Sequence, residues 1–256
     1  MERAEVERNR VRYTIRRCQN LDELAAVVRI QRRIWGYAEH ELYPLRFFVN
    51  LKGIGGQVLG AFTPQRSLVG FVVALPAWHG VKRYYHSLSI GVLRAHENRG
   101  LGRALKMAQR REALRAGIDL IKWTFDPLRA KNAYFNIVRL GAIARCYQPD
   151  YFGQLESRFQ KYLPSDRLMA EWWLRSTRVK RAMAGRLPRG NKDAPAAAVE
   201  IPLNIDRMKQ SNLRQARQCQ LLVRQRLQRF FTQKLAVTGF ECDVKSARYL
   251  LDPYED

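Results

Sequence analysis

Residues 94–105 read RAHENRGLGRAL: two glycines one residue apart, set among arginines, running directly into a helical pattern. Gly100 and Gly102 carry no Cβ and tolerate positive φ, so a ligand can approach the backbone closely there. Leu101, Ala104, Leu105 and Ala108 recur at i, i+3, i+4 and i+7, which opens a helix at the glycines with its first N–H groups facing the loop. Those N–H groups, the positive end of the helix dipole, and Arg99 and Arg103 beside them suit a phosphate or pyrophosphate. A glycine turn that caps a surface helix is the plain alternative for a lone G-x-G. The stretch is not a P-loop, because no G-K-[ST] follows, and not a dinucleotide fingerprint, because the third glycine is missing. The order of elements on either side of it has to decide.

Upstream, VRYTIRRC has strand character and LDELAAVVRIQRRIWGY has helical periodicity, with Asn20 or Asp22 as its cap. YPLRFFVNLKG predicts a short second helix. After the turn Gly53–Gly56, QVLGAF and SLVGFVVALPAW predict two strands of a hairpin around residues 63–67. YYHSLSIGVL predicts a fourth strand that ends at the glycine loop, and the helix beyond runs from about Arg99 to Ala116, stopped by Gly117. IDLIKWTFD is a fifth strand broken by Pro127, AKNAYFNIVRLGA a short helix ended by Gly141, and RCYQPDYFG and RLMAEWWLR are closing strands. The predicted order is β-α-α-β-β-β-α-β-α-β-β.

That order, with the glycine loop between the fourth strand and the third helix, resembles the GNAT superfamily of acyl-CoA-dependent N-acyltransferases over about Arg12 to Arg175. The resemblance implies an α/β fold: a mixed, mostly antiparallel central sheet flanked by helices. The family's loop signature, [QR]-x-x-G-x-[GA], falls on Glu97-Asn98-Arg99-Gly100-Leu101-Gly102, with Glu97 departing from it. It implies that Arg99, Gly100, Leu101, Gly102 and Arg103 hold the phosphates of coenzyme A, and that Val92 and Leu93 pair with the pantetheine arm. A second family block, N-x-x-A-x-x-x-Y-x-x-x-G, anchored on Gly141, puts Ala133 on the alanine but Ile137 on the tyrosine and Ala130 on the asparagine. Where the family tyrosine protonates the leaving thiolate, this chain has an isoleucine. A thiol with a pKa near ~8.5 can leave unassisted. Asn132 is the candidate for the pantetheine amides. The stretches at 123–142, 84–93, 163–174, 199–205 and 236–242 further resemble a bacterial GNAT group of uncharacterised acetyltransferases.

The implied chemistry needs a neutral amine, a thioester beside it and a donor for the oxyanion, which the family takes from a strand-end N–H, here near Val92 or Leu93. His86 on the fourth strand and Asp126 at the end of the fifth are the candidate bases, since a histidine with pKa near ~6.5 accepts a proton at neutral pH. A strand histidine can equally be a hydrogen-bonded structural residue, and Asp126 before Pro127 can simply start a turn. Trp35, Tyr37 and Tyr43 fall where the family builds its acceptor pocket. The expected cosubstrate is acetyl-CoA, with succinyl-CoA as a variant, no metal, and a small-molecule or peptide amine as acceptor.

Composition sets the outer bounds. With 256 residues and 46% hydrophobic content the chain can bury a real core, and no apolar run approaches the length of a membrane span. The charged N-terminus is no signal peptide, so a cytoplasmic protein is expected. Cys18, Cys146, Cys219 and Cys242 lie far apart, which argues against a disulfide framework or zinc site. The net charge is +23, and residues 177–240 carry fourteen basic against three acidic residues. Such a stripe can neutralise nucleic-acid phosphates, so a nucleic-acid- or ribosome-associated GNAT fold with weak or no catalysis is the rival reading; an arginine-rich solvated face is the simpler one. The predicted domains are an acyltransferase domain at 1–176, a basic Pro/Gly/Ala-rich linker at 177–198, and an extension at 199–256 of one amphipathic helix plus a hairpin. The extension is too small for its own core, so it should dock on the sheet or on a second copy in a homodimer.

Overall fold

A computed structural model describes residues 4–8, 11–153, 162–186 and 195–254. The chain is α/β with mostly antiparallel strands flanked by helices, and it forms two compact units, a first within Met1–Ile121 and a second within Lys122–Leu155 and Phe159–Asp256.

The first unit is an antiparallel meander carrying three helices. Its elements are β1 (Ala4–Arg8), β2 (Val11–Arg17), α1 (Leu21–Trp35), α2 (Leu45–Gly53), β3 (Gln57–Phe62), β4 (Leu68–His79), β5 (Lys82–Val92) and α3 (Leu101–Arg115). Strands β1 to β5 pair in chain order, each antiparallel to the next. The uninterrupted apolar runs of β3 and β4 reflect burial on both faces. On one face Leu59, Ala61, Val69 and Val72 join Tyr13 and Ile15 against Leu101, Leu105 and Ala108 of α3. On the other Val58, Phe62, Phe71 and Val73 pack on Leu24, Val27 and Ile30 of α1 and Phe48 and Leu51 of α2. Asn20 caps α1, accepting the Glu23 N–H at 3.0 Å, as its position in the sequence predicts. Strand β1 is an addition: the sequence reading has only a charged terminus there.

The second unit begins in β6 (Leu120–Phe125) and continues through α4 (Ala130–Ala133), β7 (Ile143–Gln148), β8 (Arg167–Trp173), α5 (Thr177–Met183), β9 (Ala197–Ile201), α6 (Ile205–Ser211), α7 (Leu213–Thr232), β10 (Leu235–Cys242) and β11 (Ala247–Pro253). Its strand order is β6-β8-β7-β10-β11-β9. The helix expected at AKNAYFNIVRLGA leaves the α form after one turn and winds as a π-helix over Tyr134–Arg139.

The stretch expected as a linker opens as a helix, α5, capped by Ser176, whose side chain accepts the Val179 N–H. Arg178 is half-buried there, donating to the carbonyls of Gly141 (3.0 Å), Ile137 (3.3 Å) and Thr238. Burial pushes its guanidinium down to about 10. Residues 187–194 of that stretch lie outside the described residues. The extension holds two helices and three strands rather than one helix and a hairpin, and it docks by sheet pairing, Val237 of β10 opposite Ala144 of β7. A buried carboxylate adds to this. Asp166 accepts the Tyr147 hydroxyl at 2.5 Å and both Arg224 nitrogens of α7 at 2.7 and 2.9 Å. Among the described residues no helix is long and apolar enough to cross a membrane.

Candidate functional site

Strand β5 is not a regular ladder. It pairs Ser89 with Val73 but Ser87 with Ala74, so Leu88 is an extra residue with no partner on β4. Beyond it the ladder resumes and Leu93 donates to the Val69 carbonyl at 2.8 Å. Because hydrogen-bonded pairs alternate along an antiparallel ladder, Val92, one residue earlier and opposite Gly70, turns its own N–H away from β4. This divides the two strand-end candidates. Leu93 also accepts the His96 N–H at 2.8 Å, so its backbone is engaged at both N–H and carbonyl, whereas the Val92 N–H is not spent on β4. Gly91 is needed for packing: a Cβ there would lie 2.7 Å from Ile34 Cδ1 and 3.1 Å from the Trp35 ring.

The chain then makes a short 3₁₀ turn, Arg94–His96, and enters α3 through two residues with positive φ, Asn98 (59°) and Gly100 (80°). No side chain caps α3. Its first helical bond runs from the Ala104 N–H to the Gly100 carbonyl at 3.0 Å, which leaves the N–H groups of Leu101, Gly102 and Arg103 ahead of it. A Cβ built on Gly100 or on Gly102 meets no atom within 4 Å, so the space beside both glycines is open. Glu97 is exposed.

Two residues that sequence reasoning missed hold this loop from below. Tyr13, buried on β2, places its hydroxyl 2.8 Å from His96 Nδ1 and accepts from Arg99 Nη1 at 3.2 Å. Arg99 can only donate, and with a neutral ring protonated at Nε2 the phenol gives its proton to His96 Nδ1. Burial, and then the nearby Arg99 charge, lower the His96 pKa and favour that form. The alternation of VRYTIRR marks Tyr13 as inward-facing, but nothing local pairs it with a residue 83 positions away. Arg99 is thus bound to a phenol as well as standing beside the loop.

The other expected residues fall in both units. His86 is half-buried on β5 opposite Leu75, next to the irregular step. Trp35 stacks on Tyr37 at 5.5 Å and meets Phe71 edge-on at 5.7 Å, so this pair stands over β4 and Gly91 of β5. Tyr43 instead stacks on Phe47 at 4.7 Å, its backbone held by the buried Gln31 side chain at 3.1 and 3.2 Å. Asp126 and Asn132 belong to the second unit. The Asp126 carboxylate accepts the Leu128 N–H at 2.9 Å and faces Arg129 at 3.4 Å, the arrangement of a turn-starting aspartate. Asn132 is exposed on α4, while Ile137 is fully buried in the π-helical stretch.

Comparisons with known proteins bear on the fold that carries this loop. A model of the acetyltransferase (GNAT) family matches residues 24–135. No curated protein sequence matches the chain. Among solved structures, a protein assigned to the GNAT acetyltransferase family from Desulfovibrio desulfuricans is 17% identical, with a TM-score of 0.50 over 63% of this chain and 99% of its own. The ribosomal-protein-S18-alanine N-acetyltransferase of Escherichia coli is 16% identical, TM-score 0.48, over 62% and 92%. Arabidopsis thaliana NAA60, solved with acetyl-CoA, is 17% identical, TM-score 0.49, over 63% and 99%. At these identities the first likeness speaks for the fold.

Proposed function

We propose that the chain, whose residues 24–135 match a model of the acetyltransferase (GNAT) family, moves an acetyl group from its coenzyme A thioester to a primary amine of a small molecule or peptide. The observation that carries the reading is the start of α3: an uncapped helix end, entered through Gly100 at φ 80°, with open space beside Gly100 and Gly102. In the proposed complex the N–H groups of Leu101, Gly102 and Arg103 donate to the pyrophosphate, and Arg103 adds its charge. The Val92 N–H meets the acyl end of the cosubstrate, where a fixed donor stabilises the oxyanion as the amine attacks. His86 takes the ammonium proton, directly or through water, before attack. The carbon–sulfur bond breaks with the thiolate leaving unassisted, as Ile137 supplies no acid.

Calorimetry with acetyl-CoA and succinyl-CoA, followed by thiol release over a panel of amino acids, polyamines and peptides, tests the reading. Micromolar acetyl-CoA binding with turnover on one amine class is the expected result; no binding of either thioester would reject it. A preference for succinyl-CoA would assign the donor differently on the same site. The rival reading rests on α7, which has arginines at 214, 217, 226 and 229 exposed and no acidic residue along its 20 residues. Nanomolar nucleic-acid binding at 0.15 M salt would favour it.

A further inference from the structure

Lys106 lies fully buried on the sheet-facing side of α3. Its Nζ donates to Ser87 Oγ of β5 at 3.0 Å and to Gln109 Oε1 at 2.9 Å. Gln109 Nε2 reaches the same Ser87 oxygen at 3.3 Å, and the Gln109 carbonyl accepts from the buried Gln57 of β3 at 3.1 Å. An ammonium in such a place is expensive, and an apolar side chain of similar volume would fill the space at lower cost. Its pKa is pushed down to about 7 by burial alone.

Ser87 is the residue at which the β5 register jumps, next to the unpartnered Leu88. The cluster therefore joins α3 to the irregular step of β5. A register step in a strand is held weakly by its ladder, because the extra residue has no partner there. Here side chains from the helix take that role. Lys106 stands six residues from Gly100, roughly 9 Å along the axis at 1.5 Å per residue. Ser87 stands five residues before Val92 on the same strand.

We propose that Lys106 is a positioning residue for acyl transfer: by drawing Ser87 and Gln109 together it locks the irregular step of β5 onto α3, so that the Val92 donor and the Gly100 helix end keep a set separation. This rests on the proposed function, in which those two ends hold the acyl and pyrophosphate ends of one cosubstrate. Misplacement of a reacting group by about 1 Å costs on the order of 10²-fold in rate. The helix end itself is untouched, so binding should survive when the separation drifts.

The test compares Lys106→Met, which keeps the length of the side chain and removes its donors, with Ser87→Ala and the double variant. Hydrogen exchange of the full-length protein is expected to quicken at least tenfold over residues 86–93 in Lys106→Met and to stay unchanged in α1 and α2. Acetyl-CoA affinity should remain within threefold, kcat should fall at least tenfold with the amine KM within twofold, and the double variant should be no slower than the worse single one. Undiminished kcat in a folded Lys106→Met protein overturns the proposal, and so does exchange that quickens evenly across the unit. If the unsubstituted protein binds no acyl-CoA the functional reading fails instead, and the local exchange arm still decides whether Lys106 holds the strand. Should Lys106→Met not fold, Ser87→Ala carries the same kinetic criteria.

Discussion

Helices α3 and α7 are both long, amphipathic and rich in arginine, yet they end differently. Helix α7 is capped by Asn212, whose side chain accepts the Gln215 N–H at 3.0 Å, and α1, α5 and α6 are capped in the same way by Asn20, Ser176 and Asn204. Helix α3 begins at a glycine with no side-chain cap, beneath open space, on a loop fastened by Tyr13, His96 and Arg99. Helices α2 and α4 also begin without a side-chain cap, at Pro44 and Arg129, so the missing cap alone does not mark α3; the positive-φ glycine entry and the open space beside Gly100 and Gly102 do. Positive charge does not separate the two helices. The treatment of the first turn does.

The comparison can be broken at its strongest point by Gly100→Val. A β-branched residue disfavours φ 80° and projects beside the first-turn N–H groups of α3, so coenzyme A binding should fall below detection by calorimetry, while far-UV circular dichroism stays unchanged because the cost of the positive φ, about 1–2 kcal/mol, is local and the new Cβ meets no atom. The matching change at the other helix, Asn212→Ala, should leave that binding intact and lower stability by about 1 kcal/mol in urea unfolding. Retained binding in Gly100→Val would remove the distinction between the two helix ends.

His86→Gln sharpens the catalytic side. Loss of a general base typically costs ~10²–10⁴-fold in rate, and the acidic limb of the pH–rate profile should vanish while acetyl-CoA binding persists. If the limb and the turnover are both retained, a water chain is the next base to examine, since the Asp126 carboxylate is tied to the Leu128 N–H and Arg129.

A third expectation concerns stability and pH. Lys106 has a pKa of about 7 in the folded chain against 10.5 for the free side chain. Between those values the unfolded chain binds more protons, so stability rises with pH across that window, by up to about 5 kcal/mol. Below about pH 7 both states are charged and the slope from this group is lost. Urea unfolding of the intact protein at pH 7, 8 and 9 should show the rise, and Lys106→Met should flatten it.

The smallest effect is expected at α7. Replacing Arg214, Arg217, Arg226 and Arg229 by Gln should alter folding little, because all four are exposed, and should reveal only weak, salt-sensitive nucleic-acid binding in the unsubstituted protein. Substitution is the right probe because deletion of the extension would strip β10 from β7 and the Arg224 guanidinium from Asp166.

Local pattern was enough for much of this chain. The element order from Arg12 to Arg175, a cap for α1 at Asn20 or Asp22, the Gly100 entry to α3 and the hairpin of β10 and β11 follow from periodicity, capping chemistry and glycine placement, which act over a few residues and are written in them. What the sequence left open were contacts between distant residues. Tyr13 reaches His96 across 83 positions, Lys106 meets Ser87 across 19, and Arg178, placed by composition in a linker, is sequestered among three carbonyls. Strand β1, so charged that it reads as a solvated terminus, pairs with β2 because an edge strand needs only its backbone to be matched. The irregular step in β5 was equally hidden, since the choice between Val92 and Leu93 depends on which N–H faces β4, and a register is a property of two strands rather than one.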